Sequence, residues 1–531
     1  MEARLKAATG TGPQHAPWLA WVVAAGMAGC CLAYVVWQQL GPLRHQVLQI
    51  DELYFGACAA RGLVEGWAAV AGCHDNKAPL IYLLHATLQQ IAPPHDAVAL
   101  KALSAAMLAA IAALVYRLAR RAAPEQPASA GIAAILLLIC ALVPNPSMLA
   151  VKTELLGTGL LLLALLLASD AGHALAWPRA LAIGAAFGAA VMSRQTCALM
   201  LPMVLWAALR TGSRMTLRQG GRHLLLIGMG SLLPALALTG LYAASGKLQE
   251  FLATTFLYPA VYGSATSAGV AKRLVWKFAT ASEFLQLAPV HVVLVLAALA
   301  APLRGPAAAG LRQALLLGAG LALLVMLASP MLFSYHAIPF WVLACPLGGA
   351  VIAQGTAAAG PARALAAGAL LGATLLALGV TLQSNGRPSQ APLQGIEAMQ
   401  PAAGRYAYVL GMVPQVYARG FIPASSILLP WALPDTPATW AYRPPAPDSP
   451  VFAPLHAQQQ RNLARLYADF ERTPPAYIAI IDTYARAAAS PHQHADVPGF
   501  DDYLAQHCRL LAPLSDGRNH PGKLFACNSA R

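Results

Sequence analysis

Apolar residues run in long blocks through roughly the first 385 positions, and beyond them the blocks stop. Each is about 17 to 25 residues long, as a helix crossing a hydrocarbon core of about 30 Å must be. In order they predict spans at about 17–40, 97–118, 130–149, 155–169, 180–194, 196–210, 223–244, 284–303, 314–330, 336–353 and 364–383, about eleven in all. Two connecting stretches, 41–96 and 245–283, are too long for tight turns. Within the first, Pro79–Ile91 is apolar but too short to cross, so an interfacial helix is expected there. Past SNGRPSQAP at 384–392 the pattern changes to short runs bounded by proline and glycine. YAYVLG at 406–411, SSILL at 425–429 and PAYIAIID at 475–482 read as strands, and 457–470 and 500–512 as helices. The expected fold is therefore a polytopic α-helical membrane domain over 1–383 and a small α/β domain with a parallel sheet over 384–531.

Composition places the chain in the same class. Residues of the set AVILMFWYC make up 58% and charged residues 11%, with a mean hydropathy of +0.56, outside the range of soluble domains. A net charge of +14 would elsewhere suggest nucleic acid. Here the arginines cluster in short loops, Arg117, Arg120 and Arg121 after one span and Arg210, Arg214, Arg218 and Arg222 after another. That is the positive-inside pattern, and it implies topology rather than a nucleic-acid partner. Arg4 and Lys6 precede the first span, so the N-terminus is expected inside and 41–96 outside. The first span lacks a small-residue cleavage site and reads as a membrane helix rather than a signal peptide. An odd number of spans then puts 384–531 outside, with 41–96 and 245–283 as external loops. Cys58, Cys73, Cys508 and Cys527 all fall on that side, where bridges Cys58–Cys73 and Cys508–Cys527 can form, although spacing alone does not fix the pairing. Cys30, Cys31, Cys140, Cys197 and Cys345 fall in spans and read as small apolar side chains.

Candidate chemistry concentrates in the first external loop, in DELYFGACAARGLVEGWAAVAGCHDNKAPLIY at 51–82. Two adjacent carboxylates follow a span, and a lysine precedes a proline-led helix. There is no glycine-rich phosphate loop and no dinucleotide fingerprint, and the outer side of a membrane lacks nucleotides. An activated group used there must arrive on a carrier that crosses, and a lipid phosphate is such a carrier. A phosphate leaving group needs neutralising charge, whereas an acceptor hydroxyl needs a base. One carboxylate and one or two cations are the minimum set.

The order of a span, DELYFGACAARGL, a tryptophan-containing stretch and NKAPLIYLLHA resembles the catalytic loop of the C-type membrane glycosyltransferases, most closely the aminoarabinose lipid A transferases and protein O-mannosyltransferases. The resemblance continues through VYRLARR, VKTELLGTGLLLLAL, MSRQTCALMLP, SYHAIPFW, GMVPQVYARGFIPAS and PPAYIAIID. It implies transfer of a hexosyl or pentosyl group from an undecaprenyl-phosphate donor, with inversion, to a periplasmic glycolipid such as lipid A, a glycan or a protein. It also implies a bacterial inner membrane with the active site and C-terminal domain periplasmic.

The same resemblance makes Asp51 the catalytic base, against a plain helix N-cap. Glu52 is a second acidic contact or a first-turn acid favoured by the helix dipole. Lys77 is a phosphate ligand, against a snorkelling lysine. Asn76 and Ala78 stand where relatives carry glutamate and proline, which weakens the case for a divalent metal there. Asp75 and His74 are substitute metal ligands, against the commoner reading as solvated loop residues. Lys152 and Glu154 open a span on the outer side, a phosphate contact and an acceptor or metal contact, or else interfacial anchors. Arg194 suits a bidentate phosphate contact, with a pairing to Glu154 as the alternative. Tyr335 and His336 lie at another outer turn and could reach a phosphate or sugar oxygen, against an aromatic belt and a structural histidine. Tyr258, Tyr262, Lys272 and Arg273 are lid candidates. A transporter or lipid-carrier flippase shares the span count, but no internal repeat is visible and the polar residues gather at one face.

Overall fold

The structure, a computed structural model, describes residues 48, 50–66, 77–142, 150–169, 176–210, 216–259, 306–328, 334–354, 393–400, 405–411, 414–428, 433, 453–481, 497–515 and 521–527. Helices α1 (Ile50–Glu65) and α2 (Leu80–Leu88) lie in the connecting stretch 41–96. They are followed by α3 (Ala97–Ala122), α4 (Ala128–Leu142), α5 (Thr153–Ser169) and α6 (Trp177–Ser193). A 3-10 turn at Gln195–Met200 leads into α7 (Leu201–Arg210), and α8 (Leu217–Ala244) comes next. Short α9 (Leu248–Leu252) and a π-helical turn (Ala253–Leu257) precede α10 (Pro306–Ala328) and α11 (Tyr335–Gln354).

Among the described residues four helices are long and apolar enough to cross a membrane, Ala97–Ala122, Leu217–Ala244, Ala308–Leu327 and Tyr335–Gln354, and Ala128–Leu138, Thr153–Ser169 and Gln195–Arg210 are shorter apolar helices. The expected spans at about 17–40, 284–303 and 364–383 lie outside the described residues, as do Asp75, His74, Tyr262, Lys272 and Arg273.

Arginines cap neighbouring helices at the end where the sequence places the positive loops. Arg121 donates to the Leu166 carbonyl at 2.7 Å and Arg179 to the Leu167 carbonyl at 2.7 Å, at the open end of α5. The buried Arg312 donates to the Ala122 carbonyl at the end of α3 at 2.7 Å. The last carbonyls of a helix have no partner within it and carry its negative dipole end, so a cation there is favourable.

The most extensive helix pair is α6 on α8, and small residues make it close. A Cβ added at Gly184 would lie 2.1 Å from the Ile227 carbonyl oxygen, and one at Gly188 would lie 2.1 Å from that of Ser231. The backbones therefore touch directly, the arrangement that small residues four apart permit between membrane helices.

The C-terminal part is built on a five-stranded sheet in the order β2-β1-β3-β5-β4, comprising β1 (Tyr406–Leu410), β2 (Ile422–Pro423), β3 (Tyr477–Ile481), β4 (Cys508–Ser515) and β5 (Pro521–Cys527). The sheet is mixed rather than parallel: β1 pairs in parallel with β2 and β3, while β5 is antiparallel to both β3 and β4. Of the expected strand at 425–429, residues 425–428 are instead a loop after the two-residue β2, because the buried Ser425 hydroxyl and Ser426 N–H hydrogen-bond the Asp469 carboxylate. The expected helix at 500–512 is α13 (Phe500–His507) only, and β4 takes over at Cys508. A Cys508–Cys527 disulfide joins β4 to β5. Cys58 is also disulfide-bonded, and Cys73 lies outside the described residues.

Strands β1 and β3 are apolar along nearly their whole length because both sheet faces are covered. Tyr408, Leu410, Ile478 and Ile480 pack on Leu466 and Phe470 of α12 (Ala453–Arg472) and on Phe500 and Leu504 of α13. Ala407, Val409, Ala479 and Ile481 pack on the opposite side in one core with Leu53, Tyr54, Phe55 and Ala57 of α1. One face of the C-terminal sheet is thus closed by the helix that begins at Ile50.

Gly188→Ala should destabilise the protein by about 1–3 kcal/mol, since the new methyl has to push two backbones apart. Gly240→Ala, at a position with nothing within 4 Å, should not. Thermal unfolding of the two detergent-solubilised variants checks both.

Candidate active site

Helix α1 starts at Ile50, so Asp51 and Glu52 occupy its first turn, where free N–H groups favour carboxylates; Asp51 is not the N-cap. The helix ends at Gly66, whose φ of +95° suits glycine. Nearly all of its faces are buried.

The two adjacent carboxylates sit in different surroundings. Glu52 is fully buried; its Oε2 accepts from Lys101 Nζ of α3 at 3.0 Å and its Oε1 from the Val151 N–H at 3.0 Å. Asp51 keeps 33% of its side chain exposed while Lys152 Nζ lies 2.8 Å from its Oδ2. The Lys152 ammonium also sits 4.7 Å from the centre of the Tyr335 ring, a cation–π contact. Tyr335 in turn meets His336 edge-on.

Glu154, 4% exposed, stands two residues after Lys152, in the first turn of α5. Its Oε2 accepts from the Thr153 hydroxyl at 3.0 Å, and Arg194 Nη1 lies 3.6 Å from its Oε1. Lys77, Lys152 and His336 are within electrostatic reach of the same carboxylate. Arg194 is placed by the break between α6 and the following 3-10 turn, where it takes an extended conformation. Its Nε donates to Thr196 Oγ1 at 2.8 Å, while Nη1 has no hydrogen-bond partner among the described residues. Three basic side chains, Lys77, Lys152 and Arg194, thus face two carboxylates, Asp51 and Glu154, and the excess positive charge suits an anionic ligand. Arg194, Thr196 and His336 line one cleft together with the apolar Leu161, Cys197, Met200, Ala322, Val325 and Pro339.

Segments far apart in the chain therefore bring Asp51, Lys77, Lys152, Glu154, Arg194, Tyr335 and His336 to one region. The alternative partner foreseen for Arg194, Glu154, is the one it has. Tyr258 lies elsewhere: it is buried, and its hydroxyl accepts from Asn462 Nδ2 of α12 at 2.9 Å. Among the described residues no group of three metal-ligating side chains occurs. Sequence reading passed over Lys101 and Arg61. Lys101 carried a usable signal, a charge one turn inside an otherwise apolar span. Arg61 offered only an i,i+4 pairing with Glu65, because its other partners, Pro423, Asp469 and Thr473, are some 400 positions away.

Two histidines pack behind the carboxylates. His85 of α2 faces the Val151 carbonyl at 3.2 Å, and burial pushes its pKa down to about 4. Burial also lowers that of His95 to about 3, with the neighbouring His85 adding to the effect. Both are neutral at pH 7. As pH falls below about 6.5 the unfolded chain takes up these protons while the folded one refuses them until about 4 and 3, so stability declines across that window. His95 has φ of 60°, which asparagine tolerates. His95→Asn should therefore lose less thermal stability than the parent between pH 7.5 and pH 5.0; an equal loss in both would rule out this source of acid sensitivity.

A family model described as dolichyl-phosphate-mannose-protein mannosyltransferase matches residues 76–238. No curated protein sequence matches the chain. Among solved structures, ArnT from Cupriavidus metallidurans bound to undecaprenyl phosphate is similar with a TM-score of 0.56 and 15% identity, over 94% of this chain and 98% of that one. The apo oligosaccharyltransferase of Archaeoglobus fulgidus is similar with a TM-score of 0.50 and 12% identity, over 94% of this chain and 74% of that one. With these likenesses spanning nearly the whole chain, the protein has the fold of the C-type membrane glycosyltransferases, the superfamily that its loop motifs resemble.

Proposed function

We propose that the protein transfers a sugar from a polyprenyl-phosphate carrier, undecaprenyl phosphate in a bacterial inner membrane, to a periplasmic acceptor that is a glycolipid such as lipid A, a glycan or a protein. The observation that carries the reading is Asp51. Of the three acids near the site among the described residues it alone is substantially exposed, at 33% against 0% for Glu52 and 4% for Glu154, and it stands beside a cation cluster that borders an apolar cleft.

In this reading Asp51 accepts the proton of the acceptor hydroxyl as its oxygen attacks the anomeric carbon. The bond from that carbon to the phosphate oxygen breaks on the opposite face, and the electron pair leaves with the polyprenyl phosphate. Inversion follows from the single displacement. Lys152, Lys77 and Arg194 hold the phosphate, and its departing charge strengthens those contacts as the bond breaks. Arg194 is suited to this because its guanidinium is planar, always charged and not fully hydrogen-bonded. His336 and Tyr335 border the same place, one as a ring N–H donor and the other as the ring that holds Lys152. The apolar lining of the cleft takes the first isoprene units. Glu154 orients Arg194, and Glu52 orients the start of α1 through Lys101 and Val151. The support for the lipid class is the combination of fold, excess positive charge and apolar cleft; ArnT, of the same fold, was solved with undecaprenyl phosphate bound.

Mass spectrometry of envelope glycolipids and glycoproteins, comparing a deletion strain with a complemented one, should show a single sugar increment lost and restored. Asp51→Asn should fail to restore it, with transfer reduced at least about a hundredfold, the lower end of what a general base contributes, while the purified variant still binds undecaprenyl phosphate. Transfer at the parental rate would remove Asp51 from the mechanism. Arg194→Gln should bind undecaprenyl phosphate about ten to a hundred times more weakly, as loss of a charge-assisted hydrogen bond implies; undiminished affinity would place the phosphate elsewhere.

A further inference from the structure

Ten residues beyond Asp51 on α1, Arg61 is fully buried. Its Nη1 donates to the Pro423 carbonyl and to Thr473 Oγ1, both at 3.0 Å. Its Nη2 pairs with Glu65 and lies 3.7 Å from Asp469 Oδ1 of α12, and its guanidinium sits 5.7 Å from the centre of the Tyr406 ring. Arg472 closes the network by donating to Glu65 at 2.7 Å and to Asp469 at 2.6 Å. Pro423, Thr473, Asp469 and Tyr406 all belong to the C-terminal part. A charge with no access to water is tolerable only where its partners hold it in one place. The Tyr54 hydroxyl, donating to the Gly411 carbonyl at 2.7 Å, ties the same helix to the end of β1. Between Asp51 and Arg61 runs unbroken helix, a rod of about 15 Å. A displacement at one end is a displacement at the other.

We infer that Arg61 is a positioning residue for transfer: anchored in the C-terminal sheet region, it sets the rotation and axial position of α1 and so keeps Asp51 beside Lys152 and aimed at the acceptor hydroxyl. The inference rests on the reading of Asp51 as base. It assigns the C-terminal part a task in catalysis that needs no contact with substrate. Misplacing a reacting group by about 1 Å can cost about a hundredfold in rate, and the donor phosphate, held by Lys77, Lys152 and Arg194, is bound from other elements. A loosened α1 should therefore act on turnover and spare binding.

The test is steady-state transfer by the purified full chain, with the donor and acceptor that the envelope comparison identifies. Arg61→Gln leaves Arg472 on both Glu65 and Asp469, so those acids keep a cation. It should lower kcat about ten to a hundredfold with the donor KM within about twofold. Arg61→Lys should restore kcat to within about fivefold of the parent, because an ammonium still reaches part of the same set. A folded Arg61→Gln enzyme with parental kcat, where Asp51→Asn is inactive, overturns the inference and leaves the reading of the site intact; parental transfer by Asp51→Asn overturns both. Should Arg61→Gln fail to fold, Thr473→Val decides. It removes one acceptor from Arg61 within the C-terminal part, and it should lower kcat severalfold at constant KM, while an unchanged kcat overturns the inference.

Discussion

Charge held out of water is the constraint on which this structure turns. Four charged side chains of helix α1 pair with other parts of the chain: Asp51 with Lys152, Glu52 with Lys101 and the Val151 N–H, Arg61 with Asp469, and Glu65 with Arg472. Removing one partner of a buried pair strands the other at a cost of about 3–5 kcal/mol. The helix therefore cannot shift relative to α3, to the start of α5 or to the C-terminal sheet without breaking one of these contacts. Hydrophobic burial brings the elements together, but it is indifferent to small slides. The charges supply the registration.

The same arrangement explains how one carboxylate of an adjacent pair stays partly exposed while the other does not. Successive helical residues point about 100° apart, so Glu52 turns into the protein toward Lys101 while Asp51 turns toward Lys152 and solvent. Glu154 and Arg194 repeat the division, with the acid buried and the cation bordering the cleft. The site thus presents two surfaces of different nature, one charged and one apolar. Arg194 borders a cleft whose apolar side chains come from α5, the 3-10 turn before α7, α10 and α11.

Much of this could be read in the linear sequence, for a physical reason. Membrane helices report themselves through length and hydropathy, and the described ones fall where the apolar blocks are. A charge in an apolar chain is conspicuous, so Lys77, Lys152, Glu154, Arg194 and His336 could be singled out before their neighbours were known. What the sequence hid is long-range pairing. That Lys101 serves Glu52, or that Arg61 sits against Pro423 and Thr473, depends on contacts that leave no local periodicity. The β4–β5 hairpin was obscured because CRLLAPLS continues without a break from a helical run, and its identity as a strand is fixed by pairing with β5. The loop at 425–428 defeated a propensity argument because two buried serines found a carboxylate, so side-chain hydrogen bonds replaced ladder bonds.

The sharing of one sheet face with α1 has a consequence for how such proteins can diverge. A C-terminal unit with both faces of its own could be exchanged between relatives, or lost, as a cassette. Here the second face is completed by residues near the beginning of the chain, so any recombination joining the front of one protein to the back of another has to match a helix and a sheet that never met. Change in this region should travel as compensated pairs across some 400 positions, and a functional hybrid would have to inherit α1 together with the strands that cover it.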